Sequence, residues 1–208
     1  MKTRDKILSQ ARLLFNQHGL ENVSLRQLAK SMEMSDGNLR YHFKTKAELV
    51  KKLYFELVES FDRLILDLQS GAHTQLSFLF QSALNSYQQL FAYRFFMLDF
   101  VNLMRFYPEI GEHFKQLQVM RRQQFQGIVQ HFVAEGIMRA AAYPEEYRQL
   151  HDRMEILSDF WLSSAEVVGV PEGQDPVKHF AKTNLSMIYP YLNTKAQAEM
   201  QAWLADTY

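Results

Sequence analysis

The stretch Ser24–Lys46, SLRQLAKSMEMSDGNLRYHFKTK, decides how this chain is read. Ser24 followed three residues later by Gln27 is a capping-box pattern. The hydroxyl can accept the Gln27 amide while the Gln27 side chain returns to the Ser24 amide, so a helix is expected to begin there. Leu25, Leu28, Ala29 and Met32 then recur at helical spacing and leave Arg26, Gln27 and Lys30 outside. Ser35 is placed to cap a second helix, whose buried side carries Leu39 and Phe43. Only Glu33 and Met34 lie between the two helices; small Ala29 allows a close approach, and Met34 and Leu39 can fill the space beneath the crossing. The outer face of the second helix then presents Asn38, Arg40, Tyr41 and Lys44, all donors suited to base edges or phosphate oxygens. Thr45 and Glu48 read as a further capping box, opening a helix whose free amides near Lys46 make a seat for phosphate. Two short helices, a tight turn and a cationic second helix suit one purpose, laying a helix in the major groove of DNA.

Upstream, Ile7, Leu8, Ala11, Leu14 and Phe15 mark an amphipathic first helix, with Gly19 at its expected C-terminal cap. Three helices are thus in place by Phe43, enough for one small core. The net charge of the whole chain is zero, yet its distribution is not even. Residues 1–52 hold eleven basic side chains against five acidic, and the remainder holds twelve against eighteen. That division is the footprint of one unit attracted to phosphate and another that avoids it. No cysteine occurs, which excludes disulfides, thiolate catalysis and thiolate metal sites and suits a reducing cytoplasm. MKTRDK is charged and leads into an amphipathic helix, not an apolar signal core. Even FFMLDFVNLM is interrupted by Asp99 and Asn102, so no membrane span is expected.

At 208 residues the chain can hold a small DNA-binding domain, taken as 1–46, and a larger one, 47–208. All five prolines fall in the second half, which permits long helices. One is expected from Lys46 to about Ser70, ended by Gly71, followed by others near 74–92, 94–106, 109–138, 144–168, 176–190 and 195–206. No Val/Ile/Thr-rich alternation suggests a sheet. The fold class is therefore all-α, a three-helix helix-turn-helix domain followed by a larger helical bundle.

The residues Ile7, Leu8, Ala11, Leu14, Phe15, Gly19, Ser24, Leu25, Leu28, Ala29, Ser35, Gly37, Leu39, Tyr41, His42, Phe43, Lys46 and Leu49, taken together, resemble the N-terminal domain of the TetR family of one-component transcriptional regulators. The resemblance covers roughly the first fifty residues, and the joint pattern is far more specific than any motif within it. It implies that Tyr41, His42 and Lys46 contact phosphate and that the start of the second helix reads bases. The candidate DNA-contacting set is Ser24, Arg26, Gln27, Ser35, Gly37, Asn38, Arg40, Tyr41, His42, Lys44, Thr45 and Lys46. Two departures from the family pattern matter. Glu33 stands where Gly is usual, so a positive φ there would carry strain of about 1 kcal/mol. Arg40 stands where an aromatic residue is common, and either a guanine or a phosphate contact would suit it.

The middle of the chain is rich in aromatic residues. By periodicity alone packed core is favoured over a cavity. The resemblance implies instead an effector cavity between these helices, apolar with a few fixed polar groups. The expected lining is Tyr87, Phe91, Phe95 and Phe125 with Asp99, Asn102, Arg105, Arg121 and His131, where Arg105 or Arg121 could hold a carboxylate and each charge could equally face water. Towards the C-terminus, Leu157, Phe160, Trp161, Ser164 and Val168, with Phe180, Asn184 and Ile188, form helix faces suited to a two-fold dimer interface or to intramolecular core. A dimer is favoured because a lone helix-turn-helix reads too few base pairs.

The expected function is that of a homodimeric repressor of a palindromic operator, released by a small, largely apolar effector, with no cofactor and no metal. An architectural DNA-binding protein without an effector is the alternative, with a helical-bundle enzyme more remote. Against the enzyme, Glu-x-x-His pairs on facing helices, His-Glu-x-x-His and Gly-x-Ser-x-Gly are all absent, and the seven histidines are scattered.

Overall fold

The computed structural model describes residues 2–69 and 76–205, with the side chains of all of these except 64–69. Among them run α1 (Thr3–His18), α2 (Leu25–Ser31), α3 (Asp36–His42), α4 (Lys46–Gln69), α5 (Leu76–Ala92), α6 (Arg94–Leu98), α7 (Phe100–Phe106), α8 (Pro108–Ala134), α9 (Glu146–Val168), α10 (Pro176–Ser186) and α11 (Thr194–Ala205), with a 3-10 turn at Tyr189–Tyr191. The only β contact among the described residues is an isolated bridge between Met138 and Leu192. The expected helix stop at Gly71 and the restart at 74 lie outside the described residues.

Local sequence explains the N-terminal elements. α1 buries Ile7, Leu8, Ala11 and Phe15 and closes on Gly19, which adopts φ +79° and donates its amide to the Phe15 carbonyl at 2.9 Å. α4 buries Leu49, Val50, Leu53, Tyr54, Leu57 and Val58, a pair of apolar residues on each of three successive turns. Its 24 residues extend about 36 Å. One continuous core reaches from α1 through α4 to Trp161 and Phe180, and a second gathers Phe80, Phe132, Leu150, Leu185 and Met200.

The N-terminal helices are latched to the body at the corner between α5 and α6. Asn16 of α1 donates Nδ2 to the Ala92 carbonyl (2.9 Å) and accepts the Phe95 amide on Oδ1 (3.1 Å). Phe15 meets Phe95 at 5.2 Å between ring centroids, and the Arg12 guanidinium lies 4.7 Å from the centre of the Tyr93 ring. One amide side chain thus satisfies two backbone groups at a helix break and ties this corner to α1.

Several expected helices are shorter, each for a tertiary or capping reason. The span 94–106 breaks at Asp99, after which Phe100 packs on Phe114 and Phe160 at 5.0 and 5.8 Å. α7 and α8 approach so closely that a Cβ on Gly111 would lie 2.7 Å from the Met104 carbonyl oxygen. α8 stops at Ala134, short of 138, because Gly136 at φ +67° reverses the chain and the Ile137 and Met138 amides both return to the Phe132 carbonyl. α10 starts at Pro176 behind an Asp175 cap and ends at Ser186, with Pro190 held in the 3-10 turn. The link between α8 and α9 is fastened by a bidentate Arg139–Glu146 pair at 2.8 and 2.5 Å. That pair and the Ala142 amide hold the Glu146 carboxyl down at about 2. No described helix is long and apolar enough to cross a membrane.

Candidate functional site

The DNA-facing surface is assembled by the caps anticipated from Ser24 and Ser35. Ser24 accepts the Gln27 amide at 3.2 Å and donates its own amide to Gln27 Oε1 at 2.7 Å. Ser35 accepts the Asn38 amide at 3.2 Å. Leu39 and Phe43 are completely buried, which turns Gly37, Asn38, Arg40 and Tyr41 outward; Tyr41 is 84% exposed. His42 packs against the Tyr41 ring at 5.3 Å. Arg26, Gln27, Lys44 and Thr45 are exposed beside them, with Lys46 half-buried at the start of α4.

The Thr45 cap differs in one detail from expectation. Thr45 Oγ1 accepts the Glu48 amide at 3.1 Å, but the Glu48 carboxylate takes the Lys44 amide at 2.8 Å, one residue before the cap. This fastens the chain that leaves α3 to the helix that follows. Arg40 is likewise held, with Nε on Asp36 at 2.7 Å and Nη1 on the Lys44 carbonyl at 3.4 Å.

Glu33 does adopt a left-handed conformation, φ +54°. The Met34 amide returns to the Ala29 carbonyl at 3.1 Å and the Glu33 amide to Lys30 at 3.2 Å, the pair of bonds that ends a helix with its last residue left-handed. A side chain at this position costs more than glycine does. Glu33→Gly is therefore expected to stabilise the protein by about 0.5–1 kcal/mol, after the greater chain entropy of glycine is subtracted. Thermal unfolding should move up by about 1–4 °C, and an unchanged midpoint would mean the turn carries no strain.

In the body, residues of α4, α5, α6, α7, α8 and α9 line a cavity of about 200 Å³. Its walls are largely aromatic and aliphatic, with Tyr54, Phe61, Tyr87, Phe96, Phe100 and Phe114 among them, and the polar groups present include Gln118, Arg121, Ser158 and Asp159. Most of the polar side chains are already occupied. Tyr54 Oη pairs with His113 Nδ1 at 2.9 Å, Tyr87 Oη with Ser158 Oγ at 3.3 Å, and Arg121 Nη2 with Asp62 at 2.9 Å. Burial pushes Tyr54 up to about 12 and raises Tyr87 further, so both phenols stay neutral.

Of the nine residues expected around a cavity, Tyr87 and Arg121 line it. The other seven are elsewhere, because each is claimed by another contact or by water. Phe95 is core between Phe15 and Phe96, and Phe91 lies at the surface under Arg94. Asp99 and Asn102 bond to each other at 2.8 Å, Arg105 and His131 face solvent, and Phe125 packs on His151 in the second core. The reading from sequence missed the α4 wall and the pair Ser158–Asp159. A signal for the latter was present, since Asp159 is the one acidic residue inside the apolar run ILSDFWL.

The residues grouped as a dimer face also divide. Trp161, Phe180, Asn184 and Ile188 are buried within the protomer. Trp161 sits among Tyr87, Phe91 and Phe180, and Asn184 donates to the Met154 carbonyl at 2.7 Å, so these positions join α9 and α10 to α5. Leu157 is half-buried. Phe160, Ser164 and Val168 remain outside, on the same side of α9 as the exposed Ile156 and Val167. Also on α9, His151, Asp152 and Glu155 bring possible metal-ligand atoms within 4.8 Å of one another, but Arg122 and Arg148 already take the Asp152 carboxylate at 3.3 and 3.0 Å.

A cationic helix-turn-helix joined through one unbroken helix to a larger, hollow helical bundle defines a DNA-binding transcriptional regulator. Two family models match the chain, "Bacterial regulatory proteins, tetR family" over residues 7–53 and "TetR: Bacterial transcriptional repressor" over residues 62–200. The protein belongs to the TetR family of transcriptional regulators. That family is one of regulators, and the enzyme reading falls with it. Among curated relatives, the "Probable HTH-type transcriptional regulator YttP" of Bacillus subtilis is 35% identical over 75 residues, 36% of each chain. The regulator QacR of Staphylococcus aureus is 45% identical over 49 residues, 24% of this chain and 26% of that one. The chain thus matches about a third or less of the length of these relatives. A TetR-family regulator from Marinobacter aquaeolei superimposes over 100% of this chain and 99% of its own with a TM-score of 0.84 at 22% identity, a likeness of fold.

Proposed function

We propose that the protein is a homodimeric repressor that binds a palindromic operator and leaves it when a small, largely apolar effector enters the cavity. The observation that carries this reading is the course of α4. Its first turn carries Lys46 at the DNA-facing surface, and two to four turns later the same helix presents Tyr54, Leu57, Val58 and Phe61 to the cavity. A ligand that displaces this wall rotates the helix and, with it, α3. The Asn16 latch supplies a second connection, from the α5–α6 corner to α1. A tenfold loss of operator affinity requires a coupling of only about 1.4 kcal/mol, well within what repacking a few aromatic contacts provides.

In this reading residues 1–46 are the DNA-binding domain and 47–208 the effector and dimerisation domain. Asn38 reads a base edge, while Tyr41, His42, Lys44 and Lys46 position the phosphates, assisted by Ser24, Arg26, Gln27, Ser35, Gly37 and Thr45. Arg40, with two of its nitrogens engaged, contributes a phosphate contact, because a bidentate guanine contact would require releasing either Asp36 or the Lys44 carbonyl. Tyr87 and Arg121 belong to the effector site. The dimer forms on the outer face of α9, through Ile156, Phe160, Ser164, Val167 and Val168. Acting on chromosomal DNA, the protein works in the cytoplasm.

The test is to select operators from a random duplex pool and measure binding by fluorescence anisotropy across salt concentrations. Lys46→Ala or Tyr41→Phe should weaken all sequences alike, with the Lys46 change lowering the salt slope by about 1. Asn38→Ala should relax preference at one operator position by about 1–3 kcal/mol. Uniform loss for Asn38 as well would remove it from base reading. Affinity indifferent to sequence in the unmodified protein would favour the architectural alternative.

A further inference from the structure

We infer that the effector cavity selects an organic cation, an ammonium or protonated amine carried on a compact apolar body. The inference deepens the effector reading and rests on it only in treating the cavity as a ligand site.

Besides the neutral phenols, one basic and one acidic side chain line this cavity, and they differ in what they have already found. Arg121 is neutralised by Asp62 at 2.9 Å and bonded to Gln124 at 3.2 Å. Asp159 has no hydrogen bond and no ion pair among the described residues; the charge acting on it is Glu155, one turn earlier and of the same sign. Burial, then Glu155, pushes the Asp159 carboxyl up to about 7. An empty cavity therefore leaves a carboxyl group in want of a positive partner.

The remaining walls suit the same ligand. The rings of Tyr54, Phe61, Tyr87, Phe96, Phe100 and Phe114 supply π faces that attract a cation, and the sulfur-bearing side chains of Met97 and Met104 adapt to its shape. Tyr54 and Tyr87 have committed their hydroxyls to His113 and Ser158, which leaves their rings as the surfaces offered inward. An anionic ligand would have to compete with Asp62 for Arg121 while lying against Asp159. A neutral ligand would leave Asp159 as it is.

Three probes of one shape and three charges test this by isothermal titration calorimetry on the full chain without DNA: benzyltrimethylammonium, its carbon isostere neopentylbenzene, and benzylsulfonate. The cation is expected to bind at least tenfold more tightly than either of the others. Asp159→Asn should reduce cation affinity at least tenfold while leaving neopentylbenzene within about twofold of its original value, which also reports that the cavity is intact. Equal or tighter binding of the neutral or anionic probe, a preference unchanged in Asp159→Asn, or no binding of any of the three would overturn the inference. Release of the operator by a neutral or anionic compound would leave the repressor reading standing and remove this one.

Discussion

Phe160→Glu and Val167→Glu are expected to yield folded monomers that have lost operator affinity by at least a hundredfold. Phe160 is 41% exposed, its edge meeting Phe100, and Val167 is 85% exposed; with Ile156 and Ser164 they recur along one side of α9 as a mostly apolar strip that stays exposed among the described residues. A carboxylate there costs the monomer little, because water solvates it. In a two-fold interface the same position faces its own copy or close neighbours, so two unpaired charges are desolvated together. A reading head released from its partner keeps its phosphate contacts but loses half of its base contacts, and specific complexes typically exceed non-specific ones by 10³ or more. Sedimentation velocity gives the assembly state, and thermal unfolding shows whether the fold survives. The contrast is Trp161→Glu, one residue along, where the side chain is fully buried among Tyr87, Phe91 and Phe180. That change should unfold the body, not merely separate protomers, since truncating a buried Trp alone costs about 3–5 kcal/mol. A Val167→Glu protein that remains dimeric would move the interface off α9.

The second large effect concerns stability and pH. Asp159 has its folded carboxyl raised from 3.8 to about 7, chiefly by burial and then by Glu155. A raised carboxyl binds its proton more tightly in the folded state than in the unfolded one. Stability is therefore greatest below the unfolded value near 4, declines as pH rises towards 7, and stays lower above it. Asp159→Asn removes the decline. At about 1.36 kcal/mol per pH unit the displacement corresponds to at most about 4 kcal/mol, and partial solvent access reduces the expected gain to about 2 kcal/mol. At pH 8 the variant should melt about 4–8 °C above the parent, and at pH 4 the two should nearly coincide. Tyr54, Tyr87 and Arg121 face the same cavity, with Asp62 paired to Arg121 outside it, His113 behind Tyr54, Glu155 one turn before Asp159, and the phenols neutral throughout this range. A gain as large at pH 4 as at pH 8 would assign the effect to packing instead of ionisation.

The DNA-binding unit was legible because its determinants are local. A serine three residues before a glutamine, a serine before a short amphipathic run and a glycine after Phe15 each act within one turn of chain, and the caps formed as read. Glu33 shows the limit of that kind of reading. Its left-handed φ was foreseeable only by comparison with the glycine that resembling sequences carry. Some helix boundaries in the body fall at proline or beside glycine, at Pro108, Gly136 and Pro176, although Gly111 and Gly127 lie inside α8. The break at Asp99 had no such mark, since it depends on Phe100 meeting Phe114 and Phe160 from distant helices.

The sites in the body were legible only in part, and for a common reason. α9 is apolar on two sides, one carrying Trp161 and Leu162, the other Ile156, Phe160 and Val167. Periodicity identifies both stripes but does not say which one the protomer keeps for itself. The cavity raised the same difficulty in reverse. Aromatic density between Tyr87 and Phe132 drew attention to α5–α8, whereas part of the wall comes from α4 and α9, brought there by packing. A polar residue stranded in an apolar run, such as Asp159, is the pattern that could have directed attention to the right helix.

The most direct measurement is operator binding as a function of half-site spacing. With the selected palindrome in hand, a five-base-pair insertion at its centre turns one half-site to the opposite side of the duplex. Two reading heads presented together to successive major grooves should lose at least tenfold in affinity on that insertion and recover part of it when a full turn of about 10 base pairs is inserted. Affinity unaffected by the insertion, or a single half-site bound as tightly as the palindrome, would contradict a paired DNA-reading dimer.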